Sequence, residues 1–200
     1  IGDVCGKGAD AAALTALARF TVRAAATQAR KPNRVLTQLN DAVLRGSTDG
    51  RFCTAAYVRI QDAERGGRRF TVGSAGHPQP LIVRADGKVV PAAPPGTLLG
   101  VFSDLELLDE TTILDPGDAL VLYTDGVTEA RRADDTFGED ALRDLLELQG
   151  GKTADEIADA IVDAVMTFQE GNARDDIAVV VLRVSERENG REPGIAMVAE

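Results

Sequence analysis

The sequence predicts an α+β fold in which two sheets of mostly antiparallel strands pack face to face beneath helices. Three observations carry this. Two helical stretches open the chain, short strands separated by Gly- and Asp-rich turns fill its middle, and two further helices precede a last apolar strand. Elements segregated in this way form α+β layers rather than a parallel doubly wound sheet. With 200 residues, 44% hydrophobic and 27% charged, the chain is long enough for one large domain with a proper core. Aromatic residues make up only 4% and Trp is absent, so that core must be built from Val, Leu, Ile and Ala.

The first helix is expected over residues 9–29, where Leu14, Leu17, Phe20 and Val22 stand among alanines, and Lys31-Pro32-Asn33 breaks it. The second runs to about Leu44, with Val35, Leu36, Leu39, Val43 and Leu44 at helical spacing. Residues 46–50 read as a polar loop. Strands follow at 52–60 and 69–74, joined by a charged Gly-Gly turn. A hairpin pairs 81–83 with 89–90 across Asp86-Gly87. Residues 91–100 form an irregular connection. Strands at 105–114 and 119–123 are expected to pair around Asp115-Pro116-Gly117-Asp118, which is strong turn chemistry. Helices are predicted at 137–148 and 153–169, the second opened by a capping box from Thr153 to Glu156. Residues 177–184 form a continuously apolar strand. From Ser185 the chain turns polar, so 185–200 reads as a linker or fraying tail.

Composition excludes several roles. A net charge of −10 argues against nucleic acid or an anionic membrane as the main partner. Cys5, Cys53 and the single His77 form no Cys/His metal site, and two thiols in a chain this long suit a cytoplasmic protein better than a disulfide framework. No apolar run approaches the roughly 20 residues of a membrane helix. The chain opens on Ile1 in mid-motif, so we read it as part of something longer.

The chemistry gathers in acidic turns. In Ile1-Gly2-Asp3-Val4-Cys5-Gly6-Lys7-Gly8, a carboxylate follows a strand end and precedes a helix, among glycines that permit positive φ and close approach of a ligand. A nucleotide-binding loop is the first rival, but Gly2 to Gly6 leaves three intervening residues rather than four, and Gly8 takes the place of the required hydroxyl. A plain strand-to-helix turn is the second. Two further stretches repeat the logic: Tyr123-Thr124-Asp125-Gly126, with Glu129 shortly after, and Ala173-Arg174-Asp175-Asp176-Ile177. Brought together, such carboxylates repel one another unless a cation neutralises them. All-oxygen ligation suits Mg²⁺ or Mn²⁺, and two such ions can clamp an attacking hydroxide for displacement at phosphorus.

Four ordered motifs carry a resemblance: Ile1 to Gly8, Gly73-Ser74-Ala75-Gly76-His77-Pro78, Tyr123-Thr124-Asp125-Gly126-Val127-Thr128-Glu129-Ala130, and Asp175-Asp176-Ile177-Ala178-Val179-Val180. Residues 1–184 resemble the metal-dependent protein phosphatases (PPM, the protein phosphatase 2C group), in the bacterial branch of SpoIIE and RsbU. The resemblance implies an α-β-β-α sandwich with two Mn²⁺ or Mg²⁺ ions at one end. Asp3 would bridge both ions and the Val4 carbonyl would bind one. Asp125 and Asp175 would complete the shell of the other ion, with Asp176 supporting Asp175. The implied reaction is hydrolysis of phosphoserine or phosphothreonine by a metal-activated hydroxide. The implied substrate is a phosphorylated anti-anti-sigma factor. The family's further acidic motif, Gly-Gly-Asp-x-x-Asp, belongs before Ile1 and is not in this chain. The eukaryotic members' His after the bridging Asp is also missing, since Val4-Cys5-Gly6 stands there, so a metal-bound water is the default acid.

Other candidates are weaker. We expect His77, in a strand-exit turn without triad partners, to be structural. Cys5 reads as a small buried hydrophobe rather than a nucleophile, and Lys7 as an exposed turn residue. The first helix, joined directly to the Asp3 turn, reads as a plain sandwich layer, and the resemblance suggests a second use for it as a regulatory or homodimerising element. A catalytically silent interaction domain of the same fold is the alternative to an enzyme, and a non-protein phosphoester the weaker alternative substrate.

Overall fold

The computed structural model describes residues 1–46, 50–63, 67–171, 175–185 and 195–199. They divide into two compact units. The first comprises Ile1–Ile60, Phe70–Gln79 and Ala93–Thr111, the second Gln61–Arg69, Pro80–Ala92 and Thr112–Glu200.

The first unit opens with β1 (Gly2–Val4), α1 (Ala9–Gln28) and α2 (Pro32–Gly46). Strand β2 (Cys53–Asp62) pairs antiparallel with β1, setting Asp3 opposite Thr54 and Val4 opposite Cys53. With β3 (Arg68–Ala75) and β6 (Asp109–Leu114) they make a four-stranded sheet of order β1-β2-β3-β6. Pro32 occupies the first helical position of α2, where a missing N–H costs nothing. The next N–H, of Asn33, is capped by donating to Asp109 Oδ1 at 2.7 Å. Most of the apolar stripe of α2 is inside: Val35, Leu36, Leu39 and Val43 are buried, while Leu44 at its end is 37% exposed. Leu14, Cys53, Ala75 and Leu99 complete the cluster around it. Helix α1 buries only Ala11, Leu14 and Ala25, and leaves Phe20 69% exposed.

The second unit holds a five-stranded sheet of order β11-β10-β7-β4-β5. Its strands are β4 (Leu81–Val83), β5 (Val89–Pro91), β7 (Ala119–Tyr123), β10 (Val179–Val184) and β11 (Ile195–Ala199). All five residues of β7 are buried, which its unbroken apolar run makes favourable. Helix α5 (Ala154–Phe168) lies against β10 and also contacts α4 (Gly138–Glu147). Ile157, Ala158, Ile161 and Val165 join Leu142, Leu146 and Tyr123 in one core. The expected capping box is formed: Glu156 N–H donates to Thr153 Oγ1 at 3.2 Å, and Thr153 N–H to Glu156 Oε2 at 2.8 Å. Antiparallel pairing and flanking helices give the α+β class in each unit.

Three expectations are corrected. The strand expected at 105–114 begins only at Asp109, and it does not pair with β7, since the two belong to different sheets. The reason lies in the turn between them. The buried Asp118 carboxylate accepts from the N–H groups of Asp115 and Ala85 and pairs with Arg84, while Gly117 N–H donates to Val184 O. These bonds tie the turn to β4 and β10 instead of closing a hairpin. Next, the segment read as a polar tail contains a strand, because β11 pairs antiparallel with β10 from Ile195 opposite Val184 to Ala199 opposite Val180. The third correction adds elements: a four-residue helix α3 (Asp125–Thr128) and a small hairpin of β8 (Arg131–Arg132) and β9 (Asp135–Thr136). The Gly-Gly turn and the polar loop fall largely on 64–66 and 47–49, outside the described residues. No helix among the described residues is long and apolar enough to cross a membrane.

Candidate metal centre

Asp3 stands on β1 with its side chain exposed, and its Oδ1 accepts the N–H of Val4 at 2.8 Å. A Cβ on Gly2 would lie 2.6 Å from the main-chain oxygen of Thr54, so only glycine lets β1 lie this close to β2. Val4 is half-buried. Pairing continues one step further, with Cys5 N–H donating to Phe52 O at 3.0 Å. The backbone then turns through Gly6 at φ 99° and Gly8 at φ 89°, as the glycine pattern requires, and enters α1. Arg51 fastens this loop, pairing with Asp10 at 3.3 Å in the first turn of α1 and reaching the Cys5 carbonyl at 3.5 Å.

The second unit presents the other acids on two loops that grip each other. Strand β7 runs into Thr124, and its N–H donates to Ala178 O at 3.0 Å. The Thr124 hydroxyl donates to Asp176 O at 2.9 Å and accepts the N–H of Ala178 at 3.0 Å. Gly126 seats against the same loop, where a Cβ would come within 2.4 Å of Asp176 O. Its φ is not positive, so glycine is needed here for space rather than for conformation.

This grip brings Asp125 and Asp175 into electrostatic contact. Burial pushes the Asp125 carboxyl above the ordinary carboxylate range, and the charges of Asp175 and Glu129 push it further. Asp175 has the same local geometry as Asp3, accepting the N–H of the following residue, Asp176, at 2.9 Å. Asp176 is exposed, and it is its carbonyl that anchors the loop. Asp3 and Val4 thus belong to the first unit, Asp125, Asp175 and Asp176 to the second. Among the described residues, no group of three or more His, Cys, Asp and Glu side chains is placed to hold a metal ion. The donors present, carboxylate and main-chain oxygens without a thiolate or imidazole, fit a hard divalent cation, and the crowding at Asp125 is the kind of repulsion a cation relieves.

The remaining residues fall as follows. His77 is buried at 5% exposure, its Nδ1 lies 2.9 Å from Thr54 Oγ1, and its carbonyl accepts from Ser74 Oγ, an arrangement of structural kind. Both cysteines are free thiols. Cys53 is buried, and burial, aided by the Asp3 charge, pushes its thiol up to about 11. Lys7 is exposed as expected, but Cys5, expected to be buried, is exposed too, because it lies past the end of β1 where the backbone turns away through Gly6. Reasoning from sequence missed Thr124, whose type carries no signal of its own. It also misjudged Gly126, where the Asp-Gly pair was the only available sign.

Comparison with known proteins follows the same lines. Residues 1–185 match the family model for stage II sporulation protein E (SpoIIE). Among curated proteins, the phosphoserine phosphatase RsbU of Bacillus subtilis is 29% identical over 184 residues, covering 92% of this chain and 54% of RsbU. Protein IcfG of Synechocystis is 25% identical, with 91% of this chain and 33% of IcfG covered. The chain therefore spans about half the length of RsbU or less of such relatives. Among solved structures, the SiaA-PP2C domain of Pseudomonas aeruginosa superimposes with a TM-score of 0.76 at 23% identity, covering 91% of this chain and 73% of that one. The RsbU and RsbW domains of a Mycobacterium tuberculosis protein give 0.67 at 24% identity, over 90% of this chain and 49% of that one. At these identities the likeness is one of fold.

Proposed function

Starting from a chain that belongs to the SpoIIE family, we propose that it is a metal-dependent phosphatase domain acting on phosphoserine or phosphothreonine in a protein. The observation that carries this is the coupled pair Asp125 and Asp175, held on two loops that Thr124 and Gly126 lock together. Asp3, Val4, Asp125 and Asp175 are the proposed donors to two Mn²⁺ or Mg²⁺ ions, with Asp176 supporting Asp175. Bound there, the ions would supply charge neutralisation and an activated water for attack on phosphorus. The chain's own part is to hold carboxylates at strand ends with little freedom to relax. Similarity to the phosphoserine phosphatase RsbU supports a phosphoserine substrate, which we take to be a phosphorylated protein of the anti-anti-sigma type that the motif resemblance implies. We place the domain in the cytoplasm, in keeping with its two free thiols, and propose α1, with Phe20 exposed, as a contact between two copies.

The test is turnover of p-nitrophenyl phosphate and of a phosphoserine peptide, with Mn²⁺ and with chelator, alongside calorimetric titration of Mn²⁺. The expectation is Mn²⁺-dependent turnover, and Mn²⁺ binding that Asp125→Asn and Asp175→Asn weaken. Absence of turnover together with intact metal binding would leave a catalytically silent interaction domain as the reading.

A further inference from the structure

On the Asp3 side, the first unit carries a second feature that the chemistry above does not use. A strand residue sends both its main-chain groups to one side. Those of Cys53 go to Leu99: Cys53 N–H donates to Leu99 O at 3.0 Å and Leu99 N–H to Cys53 O at 2.9 Å. Strand β1, where Val4 stands opposite Cys53, therefore lies on the other side of β2. The chain at Leu99 is thus two strand spacings from the Asp3 turn, about 10 Å. From there it runs into Val101 and Phe102, which are 45% and 54% exposed, and on to Leu108 at 64%.

The backbone that carries Val101 and Phe102 is tied down. Asn40 of α2, fully buried, accepts Gly100 N–H on Oδ1 at 2.8 Å and donates from Nδ2 to Phe102 O at 3.0 Å. Gly100 adopts φ 90°, and a Cβ there would strike Val43 at 2.4 Å. Meanwhile Leu105 and Leu107 face inward onto the unit's core. A rigidly presented Phe beside Val, flanked by charge, has the make-up of a binding hot spot. Along the segment itself the charge has one sign: residues 97–111 include Asp104, Glu106, Asp109 and Glu110 and no Lys or Arg, and of these acids Asp109 faces Lys31.

We propose that Val101, Phe102 and Leu108 form a docking lip for the phosphoprotein substrate, and that it selects phosphorylated segments flanked by apolar and basic residues. The inference rests on the phosphatase reading of the Asp3 turn beside it. Opposite charge favours a basic partner at this lip, whereas an acidic one would be repelled.

Two synthetic phosphoserine dodecapeptides test it, one with Leu and Lys around the phosphoserine, the other with Ser and Glu. Their binding in Mn²⁺ is read by fluorescence anisotropy for the wild type, Phe102→Ser and Val101→Ser. The wild type should prefer the Leu/Lys peptide by about 10-fold, and either substitution should reduce that preference to about 2-fold or less. Thermal midpoint and p-nitrophenyl phosphate turnover should not change. Equal binding of both peptides by the wild type, or an undiminished preference in both variants, would overturn the lip. Failure of the wild type to hydrolyse p-nitrophenyl phosphate would sink the phosphatase reading separately, and the anisotropy comparison would still decide the lip.

Discussion

The hydroxyl of Thr124 is bonded to the carbonyl of Asp176 at 2.9 Å, across 52 positions of chain, and the N–H of Ala178 returns a bond to the same hydroxyl at 3.0 Å. One buried side chain thereby joins the turn carrying Asp125 to the loop carrying Asp175. Thr124→Val keeps the shape and removes both bonds, leaving the half-buried Ala178 N–H and the Asp176 carbonyl without this partner. The expected cost is about 1–3 kcal/mol of stability, with a fall in Mn²⁺ affinity as the loops part. Chemical denaturation paired with calorimetry checks both, and an unchanged metal affinity would show that the grip does not position the acids.

Gly126→Ala attacks the same contact from the other side. Its Cβ would meet a main-chain oxygen that no rotamer change can move, at 2.4 Å. Overpacking of this kind costs about 1–3 kcal/mol, and here the displaced atom belongs to the Asp175 loop. Turnover should drop more than stability alone explains. A fully active Gly126→Ala protein would mean that the loop gives way harmlessly.

The raised carboxyl of Asp125 has a definite consequence for pH. Folding tightens its hold on a proton, so this group favours the folded state while protonated. That contribution is present below the ordinary value of 3.8 and is lost as pH rises through the higher folded value. Metal-free protein should therefore lose thermal stability from this group as pH rises from about 4 towards 7, and Asp125→Asn should flatten that part of the profile. Added Mn²⁺ should restore stability at the upper end, where the carboxylate is charged. Parallel profiles for wild type and Asp125→Asn would show that the crowding at Asp125 carries no weight.

Much of this was legible because the signals were local. The capping box of α5, the buried stripe of α2 and the five-residue apolar run of β7 each act within a few residues, and each formed as expected. The acidic positions are less regular than their motifs suggest: Asp3 lies within β1, Asp125 follows β7 by one intervening residue, and three residues separate Asp175 from β10. What stayed hidden depends on distant partners. Asp115 to Asp118 looks like a hairpin turn until Arg84 and Val184 reach it, and those lie far along the chain. Phe20 looks like a core residue among its alanines, yet α1 turns it outward. Thr124 matters only because of Asp176 and Ala178.

The two thiols should separate cleanly by reactivity. Cys5 is exposed, whereas Cys53 is buried with its thiol pushed up to about 11, which suppresses the reactive thiolate. Native protein should expose a single thiol to Ellman's reagent, Cys5→Ser should abolish that reaction, and denaturant should release the second. Rapid labelling of Cys53 in folded protein would contradict its packing between β1 and the core of α2.

Asp118 supplies the last prediction, because one buried carboxylate replaces the hairpin that its turn seemed to promise. It pairs with Arg84 at 2.7 Å and accepts the N–H groups of Ala85 at 2.9 Å and Asp115 at 3.0 Å. Its side chain is 8% exposed and that of Arg84 30%, so removing the acid leaves two amides without an acceptor and a half-covered guanidinium without its charge partner, with only the Ile113 carbonyl and the Thr112 hydroxyl still accepting from it. Breaking a wholly buried pair costs about 3–5 kcal/mol, and solvent at Arg84 brings the expectation for Asp118→Ala to about 2–4 kcal/mol. Asp118→Asn should fall between, since its amide oxygen still accepts one of the bonds while the charge pairing is gone. Urea unfolding orders the three proteins. A loss under about 1 kcal/mol for Asp118→Ala would mean that the main-chain bonds of the turn, to Val184 and between Asp118 and Asp115, hold it without the carboxylate.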